Sequence, residues 1–311
     1  MKSDWSNKKI LVTGATGFLA GHLIPSLLQK GAEIVGISLE RNPDISSKNF
    51  SHYSVDLKNK EELNSVIKKI NPNKIFHLAA YPDQESTFEN TDKCIQNNIQ
   101  GTLNLIHSLN GMSYDSFIHI GSYKEYSAND IPFKETDALF PVSSYAISKA
   151  CTEMFCMAYH KIHNLPMTSI RFSTVYGPNQ PDKNLIPHLI ESGIQGKTLK
   201  LTKGEQKREL LYVSDVIAVL EKASLNSKTY GEIINVGTGE EYSLKEIIKL
   251  VLQLTGSKIE PEWGAIPYRE NEIWRMKGDN TKVQKILNWK PKVSLKEGLI
   301  KTIEYYKNAS G

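Results

Sequence analysis

The sequence predicts an α/β fold: a doubly wound parallel sheet with helices on both faces, followed by a smaller C-terminal lobe. Three observations predict it. The chain has 311 residues, about twice the ~150 of a typical single domain. Short β-branched apolar runs alternate with stretches of helical periodicity through the first half, as strands buried on both faces and their crossover helices require. A glycine-rich turn, Thr13-Gly14-Ala15-Thr16-Gly17, separates the first apolar run from the first helical stretch.

Each element has its own signal. Lys9–Thr13 is strand-like, and Phe18–Lys30 carries Leu19, Leu23, Ile24, Leu27 and Leu28 at helical spacing. The order continues with a strand at Glu33–Ser38, a helix at Lys60–Ile70, a strand at Lys74–Leu78 and a helix at Asn90–Leu109. A strand at Ser116–Ile120, a helix at Tyr145–His163 and a strand at Met167–Phe172 complete this half. After Gly177-Pro178 the rhythm changes. A helix at Leu185–Gln195, a strand at Thr198–Leu201, a helix at Val213–Ala223 and a strand at Glu232–Val236 follow. Helices at Ser243–Leu254, Asn280–Leu287 and Leu295–Lys307 close the chain. Ser243-Leu244-Lys245-Glu246 reads as a capping box opening its helix. The division expected is 1–178 and 179–311, with no internal repeat and no long linker between them.

Composition excludes several function classes. With 40% hydrophobic and 23% charged residues the chain is an ordinary globular mixture, not a disordered one. A net charge of +4 without a basic run does not suggest nucleic acid as a partner. The apolar runs are strand-sized, so no membrane span is expected. The N-terminus lacks an apolar signal core, which points to the cytoplasm. Three cysteines, with Cys151 and Cys156 five apart, fit neither a disulfide framework nor a metal site. His52, His77, His107, His119, His160 and His163 are not grouped as ligands, so no metal is expected.

The glycine turn carries the first functional reading. Glycines at a strand-to-helix junction let the backbone approach a pyrophosphate, and the helix N-terminus favours the anion. This is the dinucleotide-binding arrangement of a Rossmann sheet, and Gly14, Thr16, Gly17, Phe18 and Leu19 are the expected contacts. The end of the second strand normally supplies a carboxylate to the adenosine ribose. That position is Ser38, and Arg41 follows three residues later. A missing carboxylate removes repulsion of a 2′-phosphate and a guanidinium can bind one, which favours NADP over NAD. The competing reading leaves Arg41 in solvent and puts Glu40 on the ribose.

Ser143-Ser144-Tyr145-Ala146-Ile147-Ser148-Lys149 carries the second reading. Tyr145 and Lys149 are four apart at the start of a helix and share a face. A nearby ammonium stabilises a phenolate and lowers the tyrosine pKa, as acid–base work near neutrality requires.

With these residues in view, the chain resembles the extended short-chain dehydrogenase/reductase family in its nucleotide-sugar branch, the NAD-dependent epimerases and dehydratases. The resemblance runs through Thr13–Ala20, Asp56-Leu57, Phe76–Ala80, Asn98–Thr102, Gly121-Ser122, Tyr145–Lys149, Val175–Pro178, Arg208–Asp215 and Leu287–Pro291. It implies a catalytic triad of Ser122, Tyr145 and Lys149. Asp56 and Leu57 would flank the adenine, and Leu78, Ala79, Ala80 and Asn98 would lie beside the cofactor. The C-terminal lobe would bind a nucleoside-diphosphate sugar. Arg208 and Arg269 are the expected diphosphate ligands, and Ser122, Tyr123, Lys124, Thr174, Asn184 and Leu201 are further substrate contacts. Leu185, Lys200 and Arg275 are weaker candidates. Related enzymes pair through two helices per subunit, so a homodimer through Asn90–Leu109 and Tyr145–His163 is implied.

The residues after Ser122 bear on the reaction. Sugar 4,6-dehydratases place Asp-Glu directly after the serine or threonine, and the uronate decarboxylases also carry the Glu; this chain has Tyr123 and Lys124. Fucose-forming epimerase/reductases have Cys at the Lys124 position and a His after the Gly-Pro, where this chain has Asn184, with His188 four residues on. Glu125 is expected to point to the opposite face as a structural residue. The reading that follows is an NADP-dependent reductase of a nucleoside-diphosphate 4-keto-6-deoxyhexose, with Tyr145 as proton donor at C4. The alternative is a nucleotide-sugar 4-epimerase with tightly bound NAD. A 4,6-dehydratase and a non-catalytic dinucleotide sensor are disfavoured.

Overall fold

A computed structural model describes residues 5–40, 45–83, 85, 87–127 and 130–309. Six strands of its main sheet are β1 (Lys9–Thr13), β2 (Glu33–Ser38), β3 (Phe50–Ser54), β4 (Lys74–His77), β5 (Ser116–Ser122) and β6 (Met167–Phe172). With a seventh, Ile233–Val236, they are ordered Ile233–Val236, β6, β5, β4, β1, β2, β3. Every pairing in this sheet is parallel. The order reverses between β1 and β4, whose ends are Thr13 and His77. A crevice opens at such a switch point, outside the carboxyl ends of the strands.

The side-chain period of two explains the layers. Ile10 and Val12 of β1 face one core with Ile24 and Leu27 of α1 (Phe18–Gln29). Leu11, between them, faces another core with Leu63 and Ile67 of α2 (Lys60–Ile70). All of these are wholly buried, and each contributes roughly 1.5–3 kcal/mol by leaving water. The first core also takes in Val216, Leu220, Ile247 and Val251 of the C-terminal helices.

The structure departs from the sequence reading in definite ways. The strand Phe50–Ser54 is an edge strand with mostly exposed residues, so Phe-Ser-His-Tyr-Ser offers no apolar pattern. The helix expected at Asn90–Leu109 is three segments: α3 (Phe88–Cys94), a π-helical stretch at Ile95–Gln100, and α4 (Gly101–Ser108). The long helix beside it is α5 (Ser144–His163). Three small pairings organise the C-terminal part: Thr174–Tyr176 with Leu210–Tyr212, Lys207–Arg208 with Tyr242–Ser243, and Lys200–Leu201 with Glu262–Trp263. The Ser243 capping box forms as the sequence predicts, with Glu246 N donating to Ser243 Oγ at 3.1 Å. Among the described residues, no helix is long and apolar enough to cross a membrane.

Candidate active site

The crevice between β1 and β4 is built for an extended, charged ligand. Gly14 has φ +67, and a Cβ there would lie 2.8 Å from Ala79 N. Only glycine allows that backbone conformation and that approach together. Gly17 caps the N-terminus of α1 and lines the crevice, so the helix begins at the crevice with first-turn N–H groups that lack helical partners. The cleft is lined by Gly14, Thr16 and Gly17 on one side and by Leu78, Ala79 and Ala80 on the other. Ser38, Glu40, Asp56 and Leu57 close its far end. These residues fit a dinucleotide: a glycine cradle for the pyrophosphate, apolar walls for the adenine and polar groups at the ribose end.

A buried polar chain holds the crevice open. Thr13 Oγ1 lies 2.7 Å from His77 Nδ1 and accepts from Ala79 N at 3.2 Å. His77 Nε2 lies 2.8 Å from Thr102 Oγ1. Burial, with the Lys149 charge adding to it, takes the His77 pKa down to about 3, so the ring is neutral.

Ser122, Tyr145 and Lys149 converge at the carboxyl end of β5. Ser143 caps α5 by accepting from Ala146 N at 3.2 Å, which sets Tyr145 and Lys149 on its first turns, and Tyr145 shares a cavity wall with Ser122. Lys149 is buried, with Nζ 3.4 Å from His119 Nε2. Burial lowers the Lys149 pKa, and the charge of Glu125 opposes that fall. For Tyr145 the sequence expectation is reversed. Burial raises its pKa, and the Glu125 charge raises it further, so the resting side chain is a neutral phenol.

A cavity of about 610 Å³ opens in front of this group. Ser122, Tyr145, Phe172, Ser173 and Thr174 form its inner wall, and Lys183, Asn184 and Leu185 its outer one. Lys124, Arg208 and Arg269 line it and also line a second cavity that continues toward Thr202, Gln206 and Ile266. Asp83 and Glu85 border both. Desolvation, followed by the like charges of Arg208 and Arg269, pulls the Lys124 pKa down to about 8. Arg208 is fixed by Glu272 at 2.7 Å and by the carbonyl of Ile273 at 2.6 Å. Arg269 is exposed at the rim.

Several expected contacts fall elsewhere. Tyr123 is wholly buried against Tyr126 and Phe133, because the 3₁₀ turn Tyr123–Glu125 rotates it inward. It does not reach the substrate cavity. Asn98 is buried too, bonded to both backbone groups of Tyr81 and to Ser148 Oγ. Asn97 lines the cofactor cleft in its place. The π-helical segment adds a residue per turn and shifts which side chain faces the crevice. Phe18 and Leu19 open α1 without lining the cleft, so any contribution comes through their backbone. Leu201 packs on the core, while neighbouring Thr202 lines the cavity. Lys200 is exposed, and Arg275 is paired with Glu241. Arg41 lies outside the described residues. Ser173 and Lys183 line the cavity without a signal in the sequence beyond adjacency to Thr174 and Asn184.

Comparison with known proteins agrees with this geometry. The family model described as the NAD dependent epimerase/dehydratase family matches residues 10–237. A UDP-glucuronate 4-epimerase of Thermodesulfobacterium geofontis is 30% identical over 313 residues, covering 96% of this chain and 95% of that protein. The solved UDP-glucose 4-epimerase of Thermotoga maritima, bound to UDP-glucose, superposes with TM-score 0.89 at 28% identity, covering 97% of this chain and 100% of that one. The UDP-glucuronic acid 4-epimerase of Bacillus cereus, bound to UDP-glucuronic acid and NAD, gives TM-score 0.89 at 28% identity, covering 97% and 99%.

Proposed function

This chain belongs to the NAD dependent epimerase/dehydratase family of enzymes, and we propose that it interconverts C4 epimers of a UDP-sugar with a resident NAD. The observation that carries the proposal is the turn after Ser122. Its first residue, Tyr123, is buried in an aromatic cluster, its second is the cation Lys124, and its third, Glu125, is sealed in the interior. The two positions after Ser122 therefore bring no carboxylate to the sugar for elimination or decarboxylation, and hydride transfer at one carbon is what the Ser122–Tyr145–Lys149 group supports. The relatives at this similarity include UDP-sugar 4-epimerases of nearly the same length.

NAD supplies the hydride acceptor and donor at C4. The neutral phenol of the cofactor-free site must first give up its proton; as phenolate Tyr145 would then take the proton of the C4 hydroxyl while hydride leaves C4 and return it when hydride comes back. The Ser122 hydroxyl donates to the same oxygen and orients it. Lys149 offers its ammonium to the phenolate and to the nicotinamide ribose. Arg208 and Arg269 hold the diphosphate, where planar guanidiniums bind oxygens in pairs. Residues 1–178 thus hold the cofactor and the acid–base group, and 179–311 hold most of the sugar nucleotide. Epimerisation requires the 4-keto sugar to turn over between hydride removal and return, and the cavity beyond Tyr145 gives it room.

A 4-keto-sugar reductase using NADPH is the second reading, favoured by Ser38. Its hydroxyl lies 2.7 Å from His52 Nε2 and donates to the Glu40 carbonyl, so the end of β2 presents no carboxylate from position 38. Purification followed by cofactor release and assay separates the readings. The epimerase carries NAD and equilibrates UDP-sugar C4 epimers without added cofactor; the reductase consumes NADPH.

The proposed quaternary state is a dimer through α3, α4 and α5. Phe88 of α3, Ile95 of the adjoining π-helical stretch, and Ile147, Met154 and Ile162 of α5 stand exposed, with Phe88 at 95% and Ile162 at 72%. Such apolar exposure marks an association surface; light scattering tests it, with twice the monomer mass expected and a monomer mass overturning it.

A further inference from the structure

Glu125 is an acid with no place in the proposed chemistry, and it sits in the most constrained position near the site. Its side chain is wholly buried behind Ser122. Oε1 accepts from the Ser122 backbone N–H at 2.6 Å, and Oε2 lies 3.4 Å from Arg171 Nε. Arg171 is buried as well, held by Glu153 and by the hydroxyl of Tyr126. Gly121 makes room for the carboxylate: a Cβ there would lie 3.0 Å from Oε1 and 2.9 Å from Arg171 Cγ. Ser122 answers across the turn, its Oγ accepting from Lys124 N at 3.2 Å. These two bonds make a capping box of a single 3₁₀ turn.

We infer that Glu125 is a positioning residue for Ser122, clamping the end of β5 so that the serine hydroxyl meets the reacting sugar oxygen. This rests on the proposed role of Ser122. The Lys124 N–H occupies an acceptor lobe of the hydroxyl, which leaves its proton to be donated into the cavity. The clamp fixes the backbone from which that hydroxyl projects. Burying a carboxylate is costly unless its oxygens are paired, and here one oxygen is spent on the backbone of the reacting residue. A misplacement of about 1 Å at a catalytic group can cost ~10²-fold in rate.

Two substitutions separate position from charge. Burial and the nearby Glu153 charge push the Glu125 carboxyl up to about 8, so near neutrality it is largely protonated. Glu125→Gln keeps an oxygen at the Ser122 N–H and removes the ionisable group facing Arg171, whereas Glu125→Asp keeps an ionisable carboxyl and withdraws the oxygen by one methylene. The inference expects kcat for C4 epimerisation of UDP-glucose or UDP-glucuronate to stay within about 5-fold in Glu125→Gln and to fall ~10- to 100-fold in Glu125→Asp. Sugar-nucleotide KM and bound NAD should stay within about 3-fold in both. In a Ser122→Ala background the loss caused by Glu125→Asp should shrink to under ~3-fold, because the coupling runs through the hydroxyl. Amide exchange at Ser122, read by NMR, should speed up ~10-fold or more in Glu125→Asp and little in Glu125→Gln. Activity retained in Glu125→Asp and lost in Glu125→Gln would overturn the inference in favour of a charge effect. An undiminished loss in the Ser122→Ala background would overturn it too. The exchange readout needs no turnover. If the wild type turns over no sugar nucleotide, the proposed function fails while the Ser122 clamp is still judged by exchange, and unchanged exchange in Glu125→Asp refutes it.

Discussion

The ammonium of Lys149 lies 3.4 Å from Nε2 of His119, and neither side chain reaches solvent. Burial and the Lys149 charge hold His119 well below its ordinary pKa, so the ring is neutral beside the cation. Its other nitrogen lies 3.1 Å from Ser169 Oγ, which donates to Glu153 at 2.7 Å. Lys149 is thereby backed by a neutral imidazole and, further in, by the carboxylates Glu153 and Glu125, which raise its pKa against burial. In the proposed mechanism this buried cation serves Tyr145 and the nicotinamide ribose.

Tyr145→Phe should lower turnover by about 10²–10⁴, with bound cofactor unchanged within a few-fold, since it deletes a proton donor and little else. Steady-state kinetics with cofactor quantified on the same preparation check this. Lys149→Ala should reduce both.

Binding of the sugar nucleotide should weaken as pH rises. Lys124 titrates at about 8 in the ligand-free site, so below that value it adds a positive charge to the cavity that Arg208 and Arg269 also line. An anionic diphosphate binds the protonated form better, and raising pH through about 8 removes that contribution. Calorimetric affinity for UDP should therefore fall between pH 7 and 9, and in Lys124→Met the fall should be much smaller.

Gly14→Ala should abolish cofactor retention and cost ~1–3 kcal/mol of stability. The strain comes from φ +67 and from a Cβ 2.8 Å from Ala79 N, which also blocks the pyrophosphate path. Thermal unfolding together with cofactor content is the measurement.

His77 makes the fold acid-sensitive. Its pKa is about 3 when folded and ~6.5 when unfolded. Between those values the unfolded chain binds the extra proton, so stability is full above pH ~6.5 and declines as pH falls. The decline by pH 5 is on the order of 2 kcal/mol, and urea titrations of wild type and His77→Gln should show the dependence reduced in the variant.

The sheet was legible because its strands are buried on both faces and its first turn needs glycine. Thr13–Gly17, Tyr145 and Lys149 lie where spacing put them, and Ser122, implied by the family resemblance, ends β5. What escaped was set by tertiary geometry. Tyr123 turned inward because a capping box at Ser122 rotates the next residue into an aromatic cluster. Asn98, implied by the family resemblance, is turned inward onto Tyr81 and Ser148 within a π-helical stretch, and Asn97 lines the cleft. The rise in the Tyr145 pKa came from burial and from Glu125, an acid whose approach depends on Gly121 having no side chain.

The most direct test of the account is C4 epimerisation by the protein as purified. UDP-glucose and UDP-glucuronate are each incubated without added cofactor in D2O, and the C4 epimer is followed by proton NMR. The account predicts a C4-epimer mixture from at least one of them, no deuterium at C4 because the hydride never leaves the site, and stoichiometric NAD released on denaturation. Absence of any epimer, together with NADPH consumption on a 4-keto sugar nucleotide, would contradict it.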